Sequence, residues 1–331
     1  MPLDQTEVEL PTAIKARDLT RTFKTKAGPV EAVRGLSLDI AEGELVAFLG
    51  PNGAGKSTAT RMLTTLLPPS SGAAHIAGHD VLREPDAVRR KIGYVGQGTG
   101  SGPYHRVLDE LLVQGAAQRM GAAAARARAK ELIAMLELDG LEKRDCSSLS
   151  GGQKRRLDVA LGLMHTPEIL FLDEPTTGLD PHSRANLWEH ITRLRKQTGM
   201  TIFLTTHYLD EADSMAERVM IMDAGRIIAD DTPERLKANL GGDTLDLRFA
   251  APREAQSAAT LAGNVPGARD VAVDDNTLSF VAASGEALLP RFIREASAAG
   301  IDVASATVRR PTLDNVFLSL TGRSLRDQAA A

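Results

Sequence analysis

Four short apolar runs punctuate the first 240 positions: Leu45-Val46-Ala47-Phe48-Leu49, Ile92-Gly93-Tyr94-Val95, Ile169-Leu170-Phe171-Leu172, and Met200 to Leu204. Each is brief and unbroken, and each ends in glycine or polar residues, which predicts buried strands. Thr58 to Leu67 carries Met62, Leu63, Leu66 and Leu67 on one side at helical spacing, predicting an amphipathic helix. Val107 to Cys146 reads as mostly helical, with an alanine-rich surface stretch at Ala122 to Lys130 of high helix propensity. After Lys237 the chain breaks at Asn239-Leu240-Gly241-Gly242 and the pattern changes. Strand signals at Thr244 to Phe249, Asp270 to Val273, Leu278 to Val281 and Val303 to Val308 alternate with helical signals at Pro252 to Leu261 and Glu286 to Ala299. A closing helix presents Leu313, Val316, Phe317 and Leu320 at i, i+3, i+4 and i+7, an apolar face that must dock on something. The fold class is α/β.

Gly50-Pro51-Asn52-Gly53-Ala54-Gly55-Lys56-Ser57-Thr58 fits the phosphate-loop pattern G-x-x-x-x-G-K-[ST], between the Leu45 to Leu49 strand and the Thr58 helix. Glycines there let backbone N–H groups close around phosphate oxygens, and the helix start adds its positive dipole end. Lys56 can reach the β- and γ-phosphates and the Ser57 hydroxyl can ligate Mg²⁺. A glycine-rich turn with a chance lysine is the bland alternative, and the strand-loop-helix context disfavours it. The pattern implies a nucleoside triphosphate ligand.

Further motifs narrow the class. Ser150-Gly151-Gly152-Gln153 is a second glycine-rich turn entering a helix, within Leu149-Ser-Gly-Gly-Gln-Lys-Arg-Arg-Leu-Asp158. Ile169 to Asp173-Glu174 is an apolar strand ending in two carboxylates, Gly178-Leu179-Asp180 follows, and Thr205-Thr206-His207 closes the next strand. This ordered set resembles the ABC (ATP-binding cassette) superfamily over roughly residues 12 to 237. The resemblance implies a signature turn at Ser150 to Gln153 that acts on the ATP of a second copy. It implies Asp173 as the Walker B ligand of Mg²⁺, directly or through water, and Glu174 as the group polarising the attacking water. It makes Asp180 the D-loop aspartate and His207 the switch histidine at the γ-phosphate. Gln97 matches the Q-loop glutamine that couples the Mg²⁺ site to a transmembrane partner. Phe23 stands where the family usually has a tyrosine stacking on adenine, and phenylalanine keeps that aromatic face.

Composition sets limits. Of the 331 residues, 43% are apolar and 25% charged, the profile of an ordinary globular protein, and the length suits about two domains. A net charge of −4 gives no strong field toward nucleic acid, and none is expected as a partner. One cysteine, Cys146, leaves no intrachain disulfide framework and reads as a small structural residue. His75 and His79 are four apart, but Gly78 and their strand-like setting argue against one ligating helical face. Met1 to Leu10 is acidic without an apolar core, unlike a signal peptide, and no stretch approaches the ~20 apolar residues of a spanning helix.

The expected organisation is a nucleotide-binding domain at 1–240, with a helical subdomain at about 98–165, and a small accessory domain at 241–331. The accessory order β-α-β-β-α-β is the ferredoxin-like arrangement. Its ending, Arg309-Arg310-Pro311-Thr312-Leu313-Asp314-Asn315-Val316-Phe317-Leu318, resembles that of daunorubicin-resistance-type ATPases, as does Arg155-Arg156-Leu157-Asp158-Val159-Ala160 after the signature. That resemblance implies a homodimeric ATPase energising multidrug or antibiotic export, working peripherally at the cytoplasmic face of the membrane with a separately encoded integral-membrane permease. A soluble ABC ATPase acting on ribosomes or nucleic acid is the alternative, but those usually carry two cassettes or a long coiled coil, and neither pattern occurs here. A nucleotide switch without turnover has no use for both Glu174 and His207.

Overall fold

The structure is a computed structural model describing residues 11–26 and 28–322, so the reading of Met1 to Leu10 lies outside the described residues. The chain forms two compact units that divide between Asp231 and Thr232.

In the first unit, β1 (Thr12–Thr25) pairs antiparallel with β2 (Gly28–Ala41), in a sheet whose order β2-β1-β4-β5 is completed by β4 (Ser71–Ile76) and β5 (His79–Asp80). A six-stranded sheet forms the centre, with β3 (Leu45–Leu49), β6 (Ile92–Val95), β7 (Ile169–Asp173), β8 (Thr201–Thr206), β9 (Arg218–Asp223) and β10 (Arg226–Asp231). Its order is β10-β9-β3-β8-β7-β6, and all but β10 run parallel to their neighbours. Parallel strands covered on both faces need continuous apolar runs, and every residue of β3, β7 and β8 is buried. Across three adjacent strands Phe203 packs between Phe48 and Phe171, with ring centroids 5.4 Å and 5.5 Å away. The phosphate-loop segment after β3 and Glu174 after β7 therefore stand at the same end of the sheet, with only β8 between their strands.

Helices of this unit are α1 (Lys56–Leu63), α2 (Pro85–Lys91), α3 (Val107–Ala117), α4 (Ala122–Met135), α5 (Gly151–Leu163), α6 (Pro181–Thr198) and α7 (Leu209–Met215). Helix α1 begins two residues before the expected Thr58 and stops at Leu63, short of Leu67. Met62 and Leu63 are fully buried, but Thr65 adopts φ 62° and Leu66 lies 57% exposed, so the expected apolar face loses its last turn. Pro68 and Pro69 follow directly, and a proline disfavours helical backbone in the residue before it. The alanine-rich helix α4 is not wholly a surface feature. Ala125, Ala129, Leu132 and Ile133 are buried, and at Gly115 of α3 an added Cβ would lie 2.8 Å from the Ala125 methyl. The stretch after α4 is turns ending in a 3₁₀ helix at Cys146–Ser148, where the Cys146 thiol is buried and its pKa raised by desolvation.

The second unit comprises α8 (Pro233–Ala238), β11 (Asp243–Phe249), α9 (Pro252–Gly263), β12 (Arg269–Asp274), β13 (Thr277–Ala282), α10 (Gly285–Ala298), β14 (Val303–Arg309) and α11 (Leu313–Thr321). From β11 to β14 the order is β-α-β-β-α-β, in an antiparallel sheet arranged β12-β13-β11-β14. Its core joins Leu245, Leu247 and Phe249 to Leu278, Phe280 and Phe292. Helix α11 buries Leu313, Val316 and Phe317 and packs on α8, whose Leu236 is also buried. Leu320, further along the same face in the last turn, is 48% exposed. This docking explains why α8, ahead of the break at Gly241, belongs with the second unit.

Candidate active site

The loop from Gly50 to Gly55 crosses from β3 to α1 at the centre of the first unit. Two of its glycines are required by close approach. A Cβ on Gly50 would lie 2.2 Å from the Met222 carbonyl oxygen, and one on Gly55, at φ 106°, 2.3 Å from that of Ala32. Gly55 caps α1, so the first-turn N–H groups of Lys56, Ser57 and Thr58 have no partner within the helix. Pro51 and Ala54 are buried while Asn52 and Gly53 face outward.

Lys56 is buried, and its ammonium donates to the carbonyls of Gly50 at 2.7 Å and Pro51 at 3.1 Å. It also lies 3.5 Å from Glu174 Oε1. Burial pulls the Lys56 pKa below its ordinary value, with the Glu174 and Asp173 charges opposing the shift. Glu174 follows β7 with φ 48°, a conformation that costs a non-glycine residue energy and is held by its surroundings. Its N–H donates to Thr205 Oγ1 at 3.0 Å and to the Thr205 carbonyl at 3.1 Å. His207 Nδ1 stands 3.3 Å from Glu174 Oε2, close but outside hydrogen-bond geometry. The His207 ring and then Lys56 hold the Glu174 carboxyl below the usual glutamate range, against the effect of burial.

A chain of hydrogen bonds runs beside this trio. Gln97, exposed just past β6, donates through Nε2 to Ser57 Oγ at 3.1 Å, and Ser57 Oγ donates to Asp173 Oδ1 at 3.1 Å. Thr205 Oγ1 donates to the same oxygen at 2.6 Å. Asp173 is completely buried, and its other oxygen, Oδ2, has no hydrogen-bond partner. An orphan carboxylate oxygen beside a serine hydroxyl and a carboxamide is the oxygen-donor set that a hard divalent cation takes. Gln97 presents nitrogen here, so serving a cation requires its amide to turn and offer oxygen.

Lys56, Ser57, Gln97, Asp173, Glu174 and His207 thus converge from the phosphate loop and the ends of β6, β7 and β8. Other expected site residues have their contacts elsewhere. Phe23 lies half-buried on β1 with the Arg21 guanidinium 4.8 Å from its ring centre. Asp180 caps α6, accepting from the Ser183 N–H at 2.9 Å and the Ser183 hydroxyl at 2.6 Å. Ser150 caps α5 in a reciprocal capping box with Gln153. Ser150 and Gly151 are exposed, while Gly152 lies against Ser183.

Sequence reading missed four side chains that brace these groups. Thr205 bridges Asp173 and Glu174. Glu211 is buried on α7, accepting from the Thr176 and Thr206 hydroxyls, the latter at 3.0 Å. Arg155 and Asp158 are buried on α5. A polar residue closing an apolar strand, or an Arg and an Asp three apart on a helix's buried face, is the available signal, and it is weak alone.

A protein-family model described as ABC transporter matches residues 33–177. The chain is 43% identical over 312 residues to the daunorubicin resistance ATP-binding protein of Streptomyces coeruleorubidus, covering 92% of this chain and 95% of the relative. It is 41% identical over 298 residues to the daunorubicin/doxorubicin resistance ATP-binding protein of Streptomyces peucetius, covering 90% of each. Among solved structures it resembles a dimeric ATP-binding cassette in a post-hydrolysis state bound to ADP and Pi, at 28% identity and TM-score 0.61, covering 66% of this chain and 98% of that one. The chain belongs to the ABC transporter family, among ATP-binding subunits of the daunorubicin-resistance type. It has the ATP-binding-cassette fold and is the ATP-hydrolysing subunit of an ABC exporter, a membership that implies a membrane permease as partner.

Proposed function

We propose that ATP is hydrolysed where Lys56, Asp173 and Glu174 meet, and that two copies of the chain drive export of a drug or antibiotic through a separately encoded permease. One observation carries the chemical reading: the phosphate-loop lysine and the carboxylate after β7 face each other at 3.5 Å, with His207 on the carboxylate's other side. Lys56 exchanges its carbonyl contacts at Gly50 and Pro51 for the β- and γ-phosphates, aided by the N–H groups of Gly53 to Thr58. Glu174, kept ionised, accepts the proton of a water attacking the γ-phosphorus, and His207 steadies the γ-phosphate. Ser57 and Asp173, with Gln97 beside them, would hold Mg²⁺, which would supply positive charge toward the phosphate oxygens. Phe23 offers its ring to adenine.

Within one copy, Ser150 to Gly152 faces outward, and its contacts run to Gln153, Leu179 and Ser183, away from the phosphate loop. A head-to-tail pair related by a two-fold axis supplies that turn to the partner's ATP, with Asp180 at the same seam. Among the described residues no helix is long and apolar enough to cross a membrane, which fits a peripheral subunit at the cytoplasmic face. We read the second unit as a ferredoxin-like domain that stabilises or regulates the dimer and takes no part in the chemistry.

Cells expressing the chain with a candidate permease should show ATP-dependent efflux of daunorubicin. Lys56→Ala should abolish efflux and weaken ATP binding about 10- to 100-fold, as expected for loss of a charged hydrogen-bond donor. Efflux that survives Lys56→Ala contradicts the assignment. Light scattering of Glu174→Gln should show dimer with MgATP and more monomer without it.

A further inference from the structure

Helix α5 begins at the signature turn and, one and two turns later, carries a buried charge pair. Arg155 and Asp158 are 7% and 6% exposed, with Nη1 3.8 Å from Oδ2. Burying such a pair is costly against apolar packing, so what the two charges hold bears on their role. The Arg155 guanidinium donates to three main-chain carbonyls from two segments: Gly96 at 2.7 Å, Asp173 at 3.3 Å and Pro175 at 2.5 Å. Gly96 precedes Gln97, and Asp173 and Pro175 flank Glu174. Asp158 Oδ1 accepts from the Gly100 N–H at 2.8 Å, so the pair grips the glycine-rich segment on both sides of Gln97. The helix is itself seated on β6, because a Cβ at Gly93 would lie 2.4 Å from the Gly162 carbonyl oxygen.

We propose that Arg155, oriented by Asp158, is a positioning residue for hydrolysis, setting Gln97, Asp173 and Glu174 in register with the helix that carries the signature turn. The inference rests on the roles proposed above for those three residues. A guanidinium can hold these carbonyls at once because its donors are fixed in a planar fork, whereas an ammonium on a flexible stem offers three donors from one point. Misplacing the reacting groups by about 1 Å costs up to about 100-fold in rate without requiring loss of ground-state binding.

The test uses the full-length chain carrying Arg155→Lys, which keeps the charge and removes the fork. Three quantities are measured: kcat per folded molecule, the Mg²⁺ concentration giving half-maximal activity, and the ATP dissociation constant in EDTA. The expected result is a kcat lower by about 10- to 100-fold, a severalfold higher Mg²⁺ requirement, and an unchanged dissociation constant. A merely structural arginine loses all three together, or loses folded protein alone with kcat and Mg²⁺ requirement at wild type, and either outcome overturns the proposal. If Arg155→Lys does not fold, Asp158→Asn is judged by the same three quantities. Gln97→Ala serves as the control on the parent reading. A wild-type Mg²⁺ requirement in that variant removes Gln97 from the metal site, while Arg155 is still judged through Asp173 and Glu174.

Discussion

The two units of this chain are built on opposite terms. In the first, charged and polar side chains go inside: Lys56, Glu110, Arg155, Asp158, Asp173 and Glu211 are all buried. In the second, no polar or charged side chain is buried among the described residues, and the core is leucine, phenylalanine and alanine. Its ion pairs, Arg309 with Asp246 and Arg310 with Glu286, sit at the surface. Buried charge costs desolvation and persists where each member is braced by another. The first unit accepts that cost at several places, among them the meeting of Lys56 and Asp173 with Glu174 and its strained backbone. The second is organised for packing. On the function proposed above, chemistry belongs with the first unit, and the second takes no part in it.

Substitutions can break or sharpen that contrast. Phe292 is fully buried, 5.2 Å from the Phe280 ring, so Phe292→Ala should destabilise the second unit by about 3–5 kcal/mol. ATP affinity should stay at wild type in buffer where the protein remains folded. Denaturant titration followed by nucleotide binding checks both, and a parallel loss of affinity erases the division of labour.

A smaller effect concerns pH. Glu174 has its folded pKa below the ordinary value of 4.5, so between the two values the unfolded chain binds more protons. The stability this charge supplies is therefore present above about pH 4.5 and lost as pH falls through the lower folded value. Urea unfolding of wild type and Glu174→Gln should show wild type losing ground as pH falls below about 4.5. A difference that instead grows in favour of wild type as pH falls through that range has the wrong sign. The smallest effect belongs to Arg309→Ala in the second unit. Its side chain is 65% exposed, and solvent screening leaves such pairs worth about 0–1 kcal/mol.

Much of the fold is legible in the chain because parallel strands buried on both faces write themselves as unbroken apolar runs. Leu45–Leu49 and Ile92–Val95 have the bounds that the pattern predicts. Helix ends are less visible: Leu66 has the right spacing for the α1 face, but the prolines after it stop the helix. Leu320 has helical spacing too, yet it falls in the last turn of α11, past the buried Leu313, Val316 and Phe317, and stays exposed. The residues converging on Lys56 are legible because their chemistry needs particular side chains at fixed loop positions. Thr205, Glu211, Arg155 and Asp158 are not, since each has at least one partner far away in sequence that no local pattern announces. Nothing local distinguishes Arg155, which donates to main-chain carbonyls, from the neighbouring Arg156, which bonds Asn186.

The most direct measurement is ATP turnover and ATP affinity of Glu174→Gln on one preparation of the full-length protein. Removing a positioned base while keeping its shape should lower kcat by about 10²- to 10⁴-fold and leave the ATP dissociation constant near wild type. Wild-type turnover in Glu174→Gln would contradict the placement of the chemistry at this carboxylate.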